Sequence, residues 1–134
     1  MKKLTIEAKI ERLPEVLAFL DGILEEAESD MKAQMQLDIA VEEIYVNIAS
    51  YAYEGAVGQA EIEIDISADR IVSVRFLDSG TPYDPLKKPD PDITLSADER
   101  AIGGLGIFMV KKSMDDMIYE YVDGKNVLTI KKRI

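Results

Sequence analysis

Two paired runs of alternating apolar residues constrain this chain more than anything else in it. Ile62, Ile64 and Ile66 alternate with polar neighbours across residues 60–67, and Ile71–Asp78 follows after only Ala68-Asp69-Arg70. A period of two marks a half-buried strand, and so short a joint makes the two strands an antiparallel hairpin. The pattern recurs at residues 117–122 and 127–132 around Asp123-Gly124, and a lone strand opens the chain with Leu4, Ile6, Ala8 and Ile10. Between them the spacing turns helical. Residues 12–29 carry Leu13, Val16, Leu17, Leu20 and Leu24 on one side, with Pro14 in a first turn. Residues 31–53 carry Leu37, Val41, Ile44, Ile48 and Tyr51, with Asp30 placed as N-cap. A short helix is expected at 105–114. The order β-α-α-β-β-loop-α-β-β, with helices grouped and strands in hairpins, predicts an α+β two-layer sandwich. Its sheet is mixed and mostly antiparallel, of about five strands, with helices on one face.

The 134 residues are expected to form one domain, 1–134. Asp and Glu outnumber Lys and Arg by 26 to 16, a net charge of −10, which opposes nucleic acid or an anionic membrane as the main partner. Cysteine and histidine are both absent, so thiol chemistry, thiolate metal sites, His-ligated metal and a phosphohistidine on this chain are excluded. The longest uncharged runs, 44–53 and 101–110, are about half the ~20 residues of a spanning helix. A soluble, cytoplasmic protein is expected.

Three short motifs carry chemistry. Gly103-Gly104-Leu105-Gly106 runs into the short helix, where unpaired N–H groups and a positive dipole end can cradle phosphate. Glu43 and Asn47 stand one turn apart on a face distinct from the apolar stripe, a carboxylate and a carboxamide that can serve as general base and Mg²⁺ ligand, while a solvated helix face is the alternative for that spacing alone. Asp38 and Glu42, with the same spacing, read as solvated surface. Asp78, closing a buried strand ahead of Ser79-Gly80, can accept a hydrogen bond from an exocyclic amine while Gly80 lets a flat ring approach; a plain turn fits those residues equally well. Residues 79–104, broken by Pro82, Pro85, Pro89 and Pro91, form a connection of about 25 residues and are expected to act as a lid.

Taken together, these motifs resemble the bacterial anti-sigma-factor serine kinases, within the histidine-kinase-like ATPase superfold shared with DNA gyrase, heat-shock protein 90 and mismatch-repair proteins. Residues 40–47 resemble that family's N box, 78–85 its first glycine box and 103–108 its second, while 126–130 resembles its closing strand. The resemblance implies that Glu43 orients or deprotonates the nucleophile and that Asn47 ligates Mg²⁺. It further implies that Asp78, assisted by Thr129, binds the adenine amine of ATP or ADP, that Gly80 lies against the base, and that Gly103, Gly104, Leu105 and Gly106 face the phosphates. Arg100 is a candidate for the γ-phosphate, with an exposed lid salt bridge an equal rival; Lys111 and Lys112 read as surface charge. Two positions depart from the family pattern, Pro82 in the first glycine box and Tyr51 one turn beyond Asn47.

The activity so implied is an ATP-dependent protein serine kinase acting by partner switching. Its partners would be a sigma factor and an anti-anti-sigma antagonist of the STAS type, and it would work as a homodimer. A nucleotide-gated binding module with little or no catalysis is the alternative. A phosphate loop of the Gly-x-x-x-x-Gly-Lys type and the His-Arg-Asp of eukaryotic protein kinases are both missing.

Overall fold

A computed structural model describes residues 1–87 and 104–134. The chain forms β1 (Lys2–Glu7), a 3₁₀ turn (Ile10–Arg12), α1 (Leu13–Glu26) and α2 (Met31–Asn47), which runs on into a π-helical segment (Ile48–Ala52). Strands β2 (Gln59–Ile66) and β3 (Ile71–Asp78) follow, then a 3₁₀ turn (Pro85–Lys87), α3 (Gly104–Ser113), β4 (Asp116–Val122) and β5 (Lys125–Arg133). The five strands lie in the order β1-β2-β3-β5-β4 with every neighbouring pair antiparallel, so the sheet has no parallel pair. The expected α+β sandwich is therefore present. No helix among the described residues is long and apolar enough to cross a membrane.

Alternation decides which way each strand faces. Ile62 and Ile64 of β2, Val72, Val74 and Phe76 of β3, and Leu128 and Ile130 of β5 point into one core with Val16, Leu20 and Leu24 of α1 and Leu37, Val41 and Ile44 of α2. The other face carries charge in rows. Lys3 reaches Glu61 at 2.8 Å and Glu63 at 3.6 Å, and Arg75 meets Glu63 at 3.2 Å. Helix α2 starts where Asp30 Oδ1 accepts from the N–H groups of Lys32 and Ala33 at 2.7 and 3.1 Å, satisfying two orphan donors of its first turn. At the far end of α1, Arg70, itself at a φ of +66°, donates from Nη2 to the carbonyls of Ala27 and Glu28. A cation there complements the negative end of the helix dipole.

Tyr45 of α2 is fully buried, and its hydroxyl accepts the Lys9 N–H at 3.1 Å while lying 2.7 Å from the Lys9 carbonyl and 2.9 Å from that of Glu7. These groups lie where the β1 ladder ends at the Glu7–Gln59 pair, so the phenol ties down the backbone that leaves the strand. Tyr45 stands beside the stripe that runs through Ile44 and Ile48, so helical spacing alone does not reveal its role.

Asp38 is not the solvated surface residue its spacing suggested. It is only partly exposed, packed toward α1, with Oδ1 buried and lacking a donor among the described residues. Burial first, then Asp21, and more weakly Glu25 and Glu42, push its carboxyl up to about 7. Below about pH 4 folded and unfolded chains both hold this proton and its stabilising contribution is complete; the unfolded chain then releases it first, so the contribution is lost as pH rises from there through 7. Asp38→Asn is thus expected to leave stability nearly unchanged at about pH 4, where folded and unfolded chains both still hold much of this proton. At pH 8 it should add about 1 kcal/mol, a figure already discounted for solvent screening, or roughly 3 °C in Tm. Thermal melts of both proteins at the two pH values measure this, and an equal shift at both would refute it.

Candidate functional site

Helix α2 supplies one wall of the site. One turn separates Glu43 from Asn47, and the Asn47 Nδ2 donates to Glu43 Oε1 at 3.3 Å. That bond directs the amide, leaving Asn47 Oδ1 without a donor among the described residues and available as an oxygen ligand. Oxygen donors of this kind suit Mg²⁺, which keeps its waters and takes one or two protein ligands beside substrate phosphates.

Glu43 also touches α3. Gly106 sits in the first turn of α3, and a Cβ placed on it would overlap the Glu43 carboxylate. Glycine at 106 is what lets the carboxylate lie flat against a helix N-terminus. Gly104 and Leu105 open the same turn.

The opposite wall is the end of β3. Asp78 is 6 % exposed, and its Oδ1 accepts from the Gly80 N–H at 3.0 Å and from Asn126 Nδ2 at 2.9 Å. Oδ2 has no donor among the described residues. Past Asp78 the chain turns under the π-helical end of α2, where Thr81 N–H donates to the Ala52 carbonyl at 2.9 Å and Gly80 lies so close that a Cβ would overlap that carbonyl. Tyr53 adds a second fastening by accepting the Ser79 N–H at 2.9 Å.

Between these walls lies a cavity of about 490 Å³, with Ile44, Asn47 and Tyr51 on one side, Phe76, Asp78 and Leu128 on its floor, and Thr81, Pro82 and Tyr83 along its rim. An apolar cleft of this size with a few convergent polar groups is of the kind that takes a small-molecule ligand. Phe76 and Leu128 face each other across the β3–β5 ladder in register, as do Asp78 and Asn126. Thr129 pairs with Arg75 and Ile118, so it stands on the opposite face of the sheet and does not line the cavity. The structure thus brings together Glu43, Asn47, Asp78, Gly80 and Gly106, and separates Thr129 from them. Arg100 and Gly103, with most of the expected lid 79–104, lie outside the described residues. Tyr51 is two-thirds exposed at the cavity edge, and Lys112 lies over the Phe108 ring at 5.4 Å.

Asn126 was not anticipated. An asparagine in a strand is uncommon enough to be a signal, but only the register shows that it faces Asp78.

Comparison with known proteins extends the geometry. The family model of the histidine kinase-like ATPase domain matches residues 6–132. The serine-protein kinase RsbW of Listeria monocytogenes is 32% identical over 117 residues, covering 84% of this chain and 74% of that protein. The serine/threonine-protein kinase BtrW of Bordetella bronchiseptica is 29% identical over 100 residues, covering 74% of this chain and 70% of its own. Among solved structures, that of the RsbU and RsbW domains of Rv1364c from Mycobacterium tuberculosis shares the fold with a TM-score of 0.67 at 17% identity, over 99% of this chain and 32% of that one. The histidine kinase AdeS of Acinetobacter baumannii does so with a TM-score of 0.55 at 11% identity, over 99% of this chain and 68% of that one.

The two glycines separate fold from site. Gly106→Ala meets only the tip of a flexible side chain, so it is expected to shift Tm by less than about 3 °C while displacing the Glu43 carboxylate. Gly80→Ala meets backbone that cannot yield, and a loss of about 2–3 kcal/mol is expected. Denaturant titration of the two variants gives this contrast directly; equal losses would contradict it.

Proposed function

The chain belongs to the histidine kinase-like ATPase family, on the branch of the RsbW-like serine-protein kinases, and from that premise we propose that it transfers the γ-phosphoryl group of ATP to a serine of a protein partner. The observation that carries this reading is the Glu43 carboxylate lying against Gly106 in the first turn of α3. Helix N-termini attract phosphate through unpaired N–H groups. A nucleotide whose phosphates rest on Gly104, Leu105 and Gly106 therefore brings its terminal phosphorus toward a general base.

The steps divide among few residues. Glu43 takes the serine hydroxyl proton as the oxygen bonds to the γ-phosphorus and the bond to the β-phosphate oxygen breaks, releasing ADP. Asn47 Oδ1 would hold Mg²⁺, which when bound would neutralise phosphate charge. Asp78 Oδ2 accepts a hydrogen bond from the adenine amine, and Gly80 lies against the base by family resemblance. Thr129 has no part in this scheme, being on the far face of the sheet. Arg100 and Gly103 enter by family resemblance, as contacts to the phosphates. Positioning and charge neutralisation account for most of the rate in phosphoryl transfer, so one carboxylate with a backbone cradle is sufficient machinery.

The relatives are serine-protein kinases by name, and the anti-sigma family they typify supports a partner-switching role. In that role a homodimer in the cytoplasm holds a sigma factor, and phosphorylates a serine on a STAS-type antagonist whose unmodified form breaks the hold.

Incubation with labelled ATP and the antagonist encoded beside its gene tests the kinase reading. Wild-type protein is expected to yield phosphoserine. Glu43→Ala should lower the rate about a thousandfold while Mg-ATP still raises Tm. ATP binding without any phosphoserine would remove the kinase claim. Partner control that survives Glu43→Ala would point instead to a nucleotide-gated binding module.

A further inference from the structure

We infer that Asn126 of β5, braced by Tyr119 of β4, is a positioning residue that sets base selectivity by aiming the free oxygen of Asp78 into the cavity. The inference rests on the nucleotide reading of the site above.

Asn126 is 6 % exposed, and its amide is fully engaged by the protein. Nδ2 donates to Asp78 Oδ1 at 2.9 Å and to the Thr81 carbonyl at 3.1 Å, with the Gly80 carbonyl at 3.4 Å sharing a proton. Oδ1 accepts the Tyr83 N–H at 3.1 Å and the Tyr119 hydroxyl proton. Two donor hydrogens and two lone pairs are thereby used up, so the side chain has nothing left to offer a ligand. Any effect it has on a bound base passes through its neighbours.

The orientation of the amide follows from those partners. A backbone N–H can only donate, so the atom facing Tyr83 must be the oxygen, and the nitrogen must then face Asp78. With Oδ1 of Asp78 taken by Asn126 and Gly80, the carboxylate cannot rotate without breaking two hydrogen bonds, and Oδ2 is the oxygen presented to the cavity. The same amide ties the carbonyls of Gly80 and Thr81 and the N–H of Tyr83, the loop that forms the rim. Asn126 therefore fixes both the acceptor that a 6-amino purine needs and the backbone beside it. A purine bearing a 6-oxo group puts an acceptor against that oxygen and is rejected.

The test compares binding of Mg-ATP and of Mg-inosine triphosphate, which carries an oxygen where ATP has the amine. Calorimetry on wild-type protein, Asn126→Asp and Tyr119→Phe supplies the affinities, and melting temperatures are taken alongside. Wild-type protein is expected to prefer ATP by about a hundredfold. Asn126→Asp, isosteric but set against Asp78, should cut that preference about tenfold, and Tyr119→Phe, which removes only the brace, about threefold. In serine phosphorylation the KM for ATP should rise with kcat nearly unchanged. Should Asn126→Asp fail to fold, Tyr119→Phe alone decides. Folded variants with an unaltered ATP preference, even with lowered Tm, would overturn the inference and leave the nucleotide reading intact. Wild-type protein binding both nucleotides equally would overturn the inference alone, whereas binding neither would overturn the reading and the inference together.

Discussion

The hydrogen bond from Thr81 N–H to the Ala52 carbonyl, with Gly80 pressed beneath it, joins the end of α2 to the loop that leaves β3. Asn47 lines one wall of the cavity, with Glu43 one turn before it on the same helix, and Asp78 lines the other, so this joint sets the distance between the two ends of the site. It forms where α2 widens into a π-helical turn at Ile48–Ala52, a rare geometry that recurs at functional sites. The turn puts Tyr51 at the cavity edge and the Ala52 carbonyl over Gly80. A side chain at 80 would wedge the walls apart.

Much of this was legible in the chain, for identifiable reasons. Asp30 caps α2 as its type and place suggested, because N-capping is a local interaction between residues two and three apart. Glu43 and Asn47 meet because helical periodicity fixes neighbours one turn apart. The strands were readable from alternation, and Ile71–Asp78 appears with the boundaries expected. What failed was non-local. Alternation tells that Asn126 and Thr129 face opposite sides of β5, but which side meets Asp78 depends on the β3–β5 register, and that depends on a partner strand about 50 residues away. Asp38 shows the same limit on a helix: its own spacing looks solvent-facing, and only the packing of α1 brings Asp21 against it.

The polar groups of the site divide by how they are satisfied. Asn126 and the Gly80 N–H consume Asp78 Oδ1, and Asn47 Nδ2 points at Glu43. In both pairs an amide donates to one carboxylate oxygen, and so orients an acidic side chain without adding charge. A lysine in either place would neutralise the carboxylate it is meant to aim. The cavity therefore keeps Asp78 Oδ2 and Asn47 Oδ1 as acceptors, which suit an amine at one end and a cation at the other.

A protein of net charge −10 that binds a polyanion needs its attraction to be local. Among the described residues no lysine or arginine lines the cavity, and Lys3 and Arg75 are held by glutamates on the far face of the sheet. On the proposed reading, the attraction would come from the first turn of α3 and from a cation on Asn47. That division has a consequence for specificity. A field built from backbone N–H groups and one metal falls off within a turn of helix, so it holds phosphates already in the cleft and leaves the long-range field repulsive. Anions that carry no base, lacking the contact at Asp78, gain only the short-range part. Recognition at the base end is thus what separates the nucleotide from every other phosphate in solution.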